Sequence, residues 1–418
     1  MKRSSLLTLV FAAGAAVLGA VLPARAADPV KIGILWPLTG NAAAAGQAAK
    51  AAIEVALDII NKPHPELGNL PLAATAGLPG LGGAPIDVVF VDHEGNPSTA
   101  QQLATRLITQ DKVVALMGAY QSSCSFTATA VAERYGIPFM VGESAALNIT
   151  SRGFKWTFRG TPIATDYART YMRFFADMKK QGKTIDKIAI VSENTDYGTS
   201  VGDAIVAEAK NANLPIALRI PYSASSTDVS AQVLQLKQAA PDVVIFISYT
   251  ADSILYMKTM KSLDYKPPMV LGDDSGFSDP SFIPAVFDIA QGAMNRSAWA
   301  IGREGSVTYK INEMYKAKTG RDLDDTSARD MQSFFALADA INRAGSTDPE
   351  KIRDALIKTD LKADQLMMGY QGVKFDDTGQ NILAATYLIQ LHGKQYDLVW
   401  PDTAAEAKLQ WPMTGWTQ

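Results

Sequence analysis

The chain has 418 residues, 47% hydrophobic and 19% charged, an ordinary globular composition with enough apolar residues for two or more cores. Lysine plus arginine number 39 against 42 acidic residues, so no basic excess exists to hold nucleic acid through its phosphates. A single cysteine, Cys124, excludes an intramolecular disulfide or a thiolate cluster. With only His64, His93 and His392, no metal site and no cofactor are expected.

Residues 1–26 read as an export signal. Lys2 and Arg3 make a basic start, an apolar run of 17 residues extends from Leu6 to Leu22, and Ala24-Arg25-Ala26 supplies a small-x-small cleavage site. The run sits at the bottom of the membrane-spanning range. Pro23 and the cleavage site favour removal over anchoring, and the absence of a following cysteine excludes a lipid anchor. A mature protein starting near Ala27 has 36 basic against 42 acidic residues, a net −6. The expectation is an exported, soluble, periplasmic protein.

The body alternates strand and helix. VKIGIL (30–35) is an apolar strand, followed by Ala49, Ile53, Ala56, Leu57 and Ile60 at helical spacing. Residues 63–85, rich in Pro and Gly, read as a surface insertion. IDVVFV (86–91) is the second strand. Asn96-Pro97 is an N-cap with proline at the first helical position, opening a helix to about Gln110. Strands at 113–117 and 137–141 flank a helix carrying Ala128, Val131, Ala132 and Tyr135. After Pro162 the rhythm restarts, with strands at 187–191, 215–220, 243–247 and 269–271 between helices. Further helices are expected at 306–318, 326–344 and 349–358. Apolar strands without polar alternation, joined by helices, predict parallel sheets covered on both faces: an α/β protein with two doubly wound lobes.

Ligands of such sheets bind beyond the carboxyl ends of the strands, so the loops after the strands are the candidates. These include Trp36 to Gly40, the run Gly118 to Ser125, Gly142-Glu143-Ser144-Ala145-Ala146, Asn194 to Gly198, Ser248-Tyr249-Thr250 and Gly272 to Gly276. Ser122, Ser123 and Ser125 open a helix, where hydroxyls and free N–H groups suit either a carboxylate or simple capping. Asp274 is placed either to face a ligand ammonium or to cap a helix starting near Pro280. Tyr197, Tyr249 and Trp36 either wall an apolar side chain or pack. Enzyme motifs fail: there is no Gly-x-Ser-x-Gly elbow, Walker loop or GxGxxG at a helix start. Asp92-His93-Glu94 alternate across a strand, a poor arrangement for a shared metal, and Cys124 has no histidine near it in sequence.

Taken in order, KIGILWPLTG (31–40), VVFVDHEGNPSTAQQLATRLI (88–108), VVALMGAYQSSCS (113–125), GIPFM (136–140), DYGTS (196–200) and MVLGDD (269–274) resemble the branched-chain amino acid (Leu/Ile/Val) type of periplasmic solute-binding protein, which feeds an ABC importer. The resemblance covers nearly all of residues 28–400. It implies the type I periplasmic binding fold, with two lobes joined by three crossovers and closing on ligand by hinge motion, a motion established for periplasmic binding proteins generally. Lobe one takes 27–158 and 291–370, and lobe two takes 159–290 and 371–418. Ser122 and Ser123 resemble the family's carboxylate-binding loop, and Ser144, Ala145 and Ala146 the next loop around the ligand. Tyr197 matches the tyrosine that covers it, and Tyr249 falls at or beside an aromatic wall. Asp274 stands where the ammonium is met, and Trp36 bounds the side-chain pocket. Leu147 replaces a usual threonine, Asp274 a usual glutamate, and Tyr120-Gln121 is bulky beside the serines.

The resulting expectation is a monomeric, non-enzymatic binding component. It captures a branched-chain or aromatic amino acid and delivers it to a membrane permease, with no nucleic acid and no membrane anchor of its own. The alternative ligand is an aromatic carboxylate, amide or urea-like compound held by Trp36, Tyr120, Tyr197 and Tyr249. An alternative of another class is a secreted hydrolase using Asp92, His93 or Cys124.

Overall fold

The computed structural model describes residues 27–224, 226–273 and 275–417. The segment read as an export signal lies outside the described residues, and so does Asp274.

The first lobe is built on β1 (Val30–Trp36), β2 (Ile86–Asp92), β3 (Ala115–Gly118), β4 (Phe139–Val141) and β5 (Thr157–Arg159), all parallel, in the order β2-β1-β3-β4-β5. Helices α1 (Ala43–Asn61), α2 (Pro97–Thr109) and α3 (Ser122–Tyr135) connect them. Almost every residue of β1 is buried, as a strand covered on both faces must be. The Asn96 side chain accepts from Ser98 N and Thr99 N and so caps α2 in front of Pro97. The 63–85 segment is more than a surface insertion. Leu67, Leu70 and Leu78 are buried in the lobe core, and Gly80 N donates to Asn342 Oδ1 at 2.8 Å.

The second lobe contains α4 (Ala164–Lys180), β6 (Ile188–Glu193), α5 (Asp196–Asn211), β7 (Ile216–Tyr222), α6 (Ser230–Ala239), β8 (Val243–Ile247), α7 (Thr250–Ser262), β9 (Met269–Gly272), the short α8 (Ser275–Ser278) and α9 (Phe282–Val286), and β10 (Met294–Ser297). The chain then returns to the first lobe with α10 (Val307–Thr319), α11 (Asp325–Ala344) and α12 (Pro349–Ile357). There α11 buries Phe334, Phe335 and Ile341 in the core that α1 supplies with Ile53 and Ile59. A ribbon of β11 (Asp360–Lys362) and β12 (Gly372–Lys374) precedes β13 (Tyr387–His392) and β14 (Gln395–Trp400). These last two strands extend the second sheet antiparallel, to the order β14-β13-β10-β9-β8-β6-β7.

Two crossovers differ from the sequence reading. Met294–Ser297 pairs with β9 and β13, so the second crossing falls after Ser297, within the return expected at 290–298 but later than a boundary at 290/291. Val373 and Phe375 pack in the first core, and Arg159 bridges to Gln380, so the third crossing comes near 382–386 rather than 370/371. In both places the strand is three or four residues long, too short to carry a period.

Candidate ligand-binding cleft

On the first lobe, the loop after β3 is held by close backbone approach and buried hydrogen bonds. Gly118 has φ +133°, and a Cβ there would stand 2.3 Å from Leu35 O, so only glycine fits. Tyr120 is left-handed at φ +62°, a conformation costing a bulky residue on the order of 1 kcal/mol. Ser144 Oγ donates to Tyr120 O at 2.8 Å and lies 2.7 Å from Ser125 Oγ, which accepts from Ala119 N at 2.8 Å. Ser122 Oγ accepts from Ala146 N at 3.3 Å. Arg159, fully buried, donates to Ser144 O and Ala146 O at 3.0 and 2.7 Å, bracing the next loop.

Below this loop His93 is fully buried. Its Nδ1 accepts from Gly95 N at 3.1 Å, so Nε2 carries the proton to Ala119 O at 3.0 Å. Burial lowers its pKa to about 4, which fixes a neutral structural imidazole. Cys124 is also fully buried, and desolvation pushes its thiol up to about 12, far from a nucleophile's range. Among the described residues no group of three or more His, Cys, Asp or Glu is arranged to hold a metal.

On the second lobe Asp273, just beyond β9, is the centre. The hydroxyls of Tyr171 and Tyr197 both donate to its carboxylate, and Arg296 Nε lies 3.2 Å from Oδ1. Burial and the neighbouring Asp273 charge hold both phenols well above their ordinary pKa, so they stay donors. The Arg296 guanidinium also lies 3.6 Å from the centre of the Tyr167 ring.

From there a buried polar chain runs into the first lobe. Arg296 Nη1 is 3.9 Å from Asp325 Oδ2, Asp325 is 2.9 Å from Arg329 Nε, and Arg329 Nη2 is 2.5 Å from Glu143 Oε1. Arg329 also donates to the Tyr167 hydroxyl at 3.1 Å. Burial raises Glu143 to about 8 against the pull of Arg329, with Asp330 and Asp325 adding to the rise. Burial likewise raises Asp325 to about 6.

Between the lobes remains a cavity of about 10 Å³, lined by Tyr120, Ser122, Glu143, Ser144, Ala145, Tyr167, Tyr197 and Tyr249. That is scarcely space for one water. Aromatic rings fill the rest: Trp36 to Tyr120 is 6.2 Å between centroids, Tyr120 to Tyr249 5.8 Å, and Tyr249 to Tyr197 5.6 Å.

Of the residues singled out in the sequence, Ser122, Ser144, Ala145, Tyr197 and Tyr249 line this cavity. Trp36 reaches it through Tyr120, and Ala146 stands behind it as the donor to Ser122. Ser123 is half-buried and does not line it. Asp274 lies outside the described residues. The sequence reading missed Glu143, Tyr167, Tyr171, Asp273, Arg296 and Arg329. Glu143 and Asp273 stood in the quoted strand-end loops, and that position was their only signal. The arginines gave none, because a buried guanidinium looks like a surface one until its partners are known.

Two doubly wound α/β sheets, the second with two antiparallel strands at one edge, bring loops from their strand ends together across a cleft, the arrangement of a two-lobed binding protein. The chain belongs to the periplasmic binding protein family, whose model matches residues 29–405. It is similar to Leu/Ile/Val-binding protein homolog 8 of Brucella abortus, at 30% identity over 98% of this chain and 99% of the relative. Homolog 7 of Brucella suis is 28% identical over 95% and 97%. Among solved structures, a leucine-binding protein of Thermotoga maritima superposes with a TM-score of 0.75 at 22% identity, covering 88% of this chain and 97% of that one. A Rhodopseudomonas palustris solute-binding protein in complex with benzoate superposes with a TM-score of 0.73 at 18% identity, covering 89% and 95%. No helix among the described residues is long and apolar enough to cross a membrane.

Proposed function

We propose that this protein is the substrate-binding component of an ABC importer. It captures an amino acid with an aliphatic or aromatic side chain between its lobes and presents the closed form to a membrane permease. The observation that carries this reading is the cleft itself, where loops from both sheets meet over a buried polar floor and an aromatic wall. The names of the Brucella relatives support an amino acid. A ligand enters by parting Tyr120 from Tyr249, and closure follows from its tighter binding to the closed state. The chain acts as a monomer in the periplasm after losing its export signal. Its chemistry is binding, since His93 and Cys124 are locked in the interior.

The aromatic run favours one second reading, an aromatic carboxylate stacked between tyrosines. Melting temperatures measured with leucine, isoleucine, phenylalanine, benzoate and 3,4-dihydroxybenzoate separate the two. A selective ligand at 100 times its Kd stabilises by about 2.7 kcal/mol. A rise with an amino acid supports the first reading, a rise confined to the benzoates selects the second, and no rise with any of them removes both.

A further inference from the structure

Within the amino-acid reading, on which this inference rests, we infer that Glu143 is a ligand-contacting residue that selects for a cationic nitrogen head. Glu143 is 4% exposed and lines the inter-lobe cavity. Its Oε1 takes Arg329 Nη2 at 2.5 Å and Thr326 Oγ1 at 3.4 Å, while Oε2 has no hydrogen-bond partner. A buried carboxylate oxygen left without a donor costs free energy, and a donor from the ligand removes that cost.

The surroundings decide which donor. Among the described residues, Asp325 stands between Arg296 and Arg329, and Asp330 adds a buried carboxyl whose charge opposes that of Glu143. A ligand ammonium beside Oε2 favours the ionised form of Glu143 against the burial that raises it to about 8, whereas a ligand carboxylate opposes that ionisation. The serine loop does not compete for this role, since the hydroxyls of Ser122, Ser125 and Ser144 already serve backbone groups of their own lobe. Ligands of this class include α-amino acids and simple primary amines.

Calorimetry on the full mature chain tests this with leucine, 3-methylbutylamine and 4-methylpentanoate, and with phenylalanine, phenethylamine and 3-phenylpropionate. The wild type should bind the ammonium-bearing members at least tenfold tighter than the deaminated acids, the order expected for one charge-assisted hydrogen bond. Glu143→Gln should shrink that ratio about tenfold or more while leaving any acid binding in place. Glu143→Asp, which keeps the charge but withdraws it by one methylene, should keep the preference at lower affinity. Equal wild-type affinity for leucine and 4-methylpentanoate overturns the assignment without any variant and leaves the transport reading standing. An unchanged ratio in folded Glu143→Gln overturns it as well. Binding of none of the six compounds removes the amino-acid reading and this assignment together.

Discussion

The polar chain Glu143–Arg329–Asp325–Arg296–Asp273 and the aromatic run Trp36–Tyr120–Tyr249–Tyr197 both join the first lobe to the second, out of opposite materials. The polar chain is buried and directional. Each guanidinium has carboxylates at fixed angles, and Tyr171, Tyr197 and Tyr167 add hydroxyls from α4 and α5. Such contacts lose their value with a shift of a fraction of an ångström, so they define one closed geometry. The aromatic rings touch at tilted angles of 40–47° with centroids 5.6–6.2 Å apart, contacts that tolerate sliding and separation. The lesson is a division of labour: the floor of the cleft fixes how the lobes meet, and the wall adapts to what lies between them.

Breaking the floor should have the largest effect. Arg296→Met leaves Asp273 buried without its cation and removes the stack on Tyr167. The expected loss is about 3–5 kcal/mol in urea unfolding. A loss below about 1 kcal/mol would mean that the closed arrangement does not depend on this chain.

The frame beneath the aromatic wall should show itself through pH. The folded protein holds His93 neutral down to about 4, whereas the unfolded chain protonates it below about 6.5. The unfolded state therefore binds more protons in that window, and stability falls as pH drops through it. The contribution is roughly 3 kcal/mol in all. His93→Gln can keep the bonds to Ala119 O and Gly95 N but has no proton to gain. Its stability deficit relative to wild type should be largest at pH 7 and shrink towards pH 4. Parallel pH profiles of the two proteins would contradict this account of His93.

The smallest contrast lies within the serine loop. Ser122→Ala strands the buried Ala146 N–H and should cost about 1 kcal/mol. Ser123→Ala, half-buried and outside the cavity lining, should stay within about 0.5 kcal/mol and leave ligand affinity unchanged. Equal effects of the two in thermal unfolding would erase the distinction the structure draws between them.

Much of this architecture was legible in the residues. The apolar strands, the Asn96-Pro97 cap and the long amphipathic helices are local signals, since each is written within one element. The strand-end loops were legible too, because a doubly wound sheet exposes the carboxyl ends of its strands. Short strands such as β5, β10 and β12 were not, for they hold by pairing with distant partners rather than by their own pattern.

The sequence by itself determined the two-lobed α/β plan and the loops from which a cleft would be assembled, because periodicity and turn chemistry act over a few residues. Only the tertiary structure decided which charges meet inside. Glu143 and Arg329 lie 186 positions apart, yet they share a buried hydrogen bond. Such a pairing is set by the packing of α11 under β4, where charges can stay buried only by finding one another.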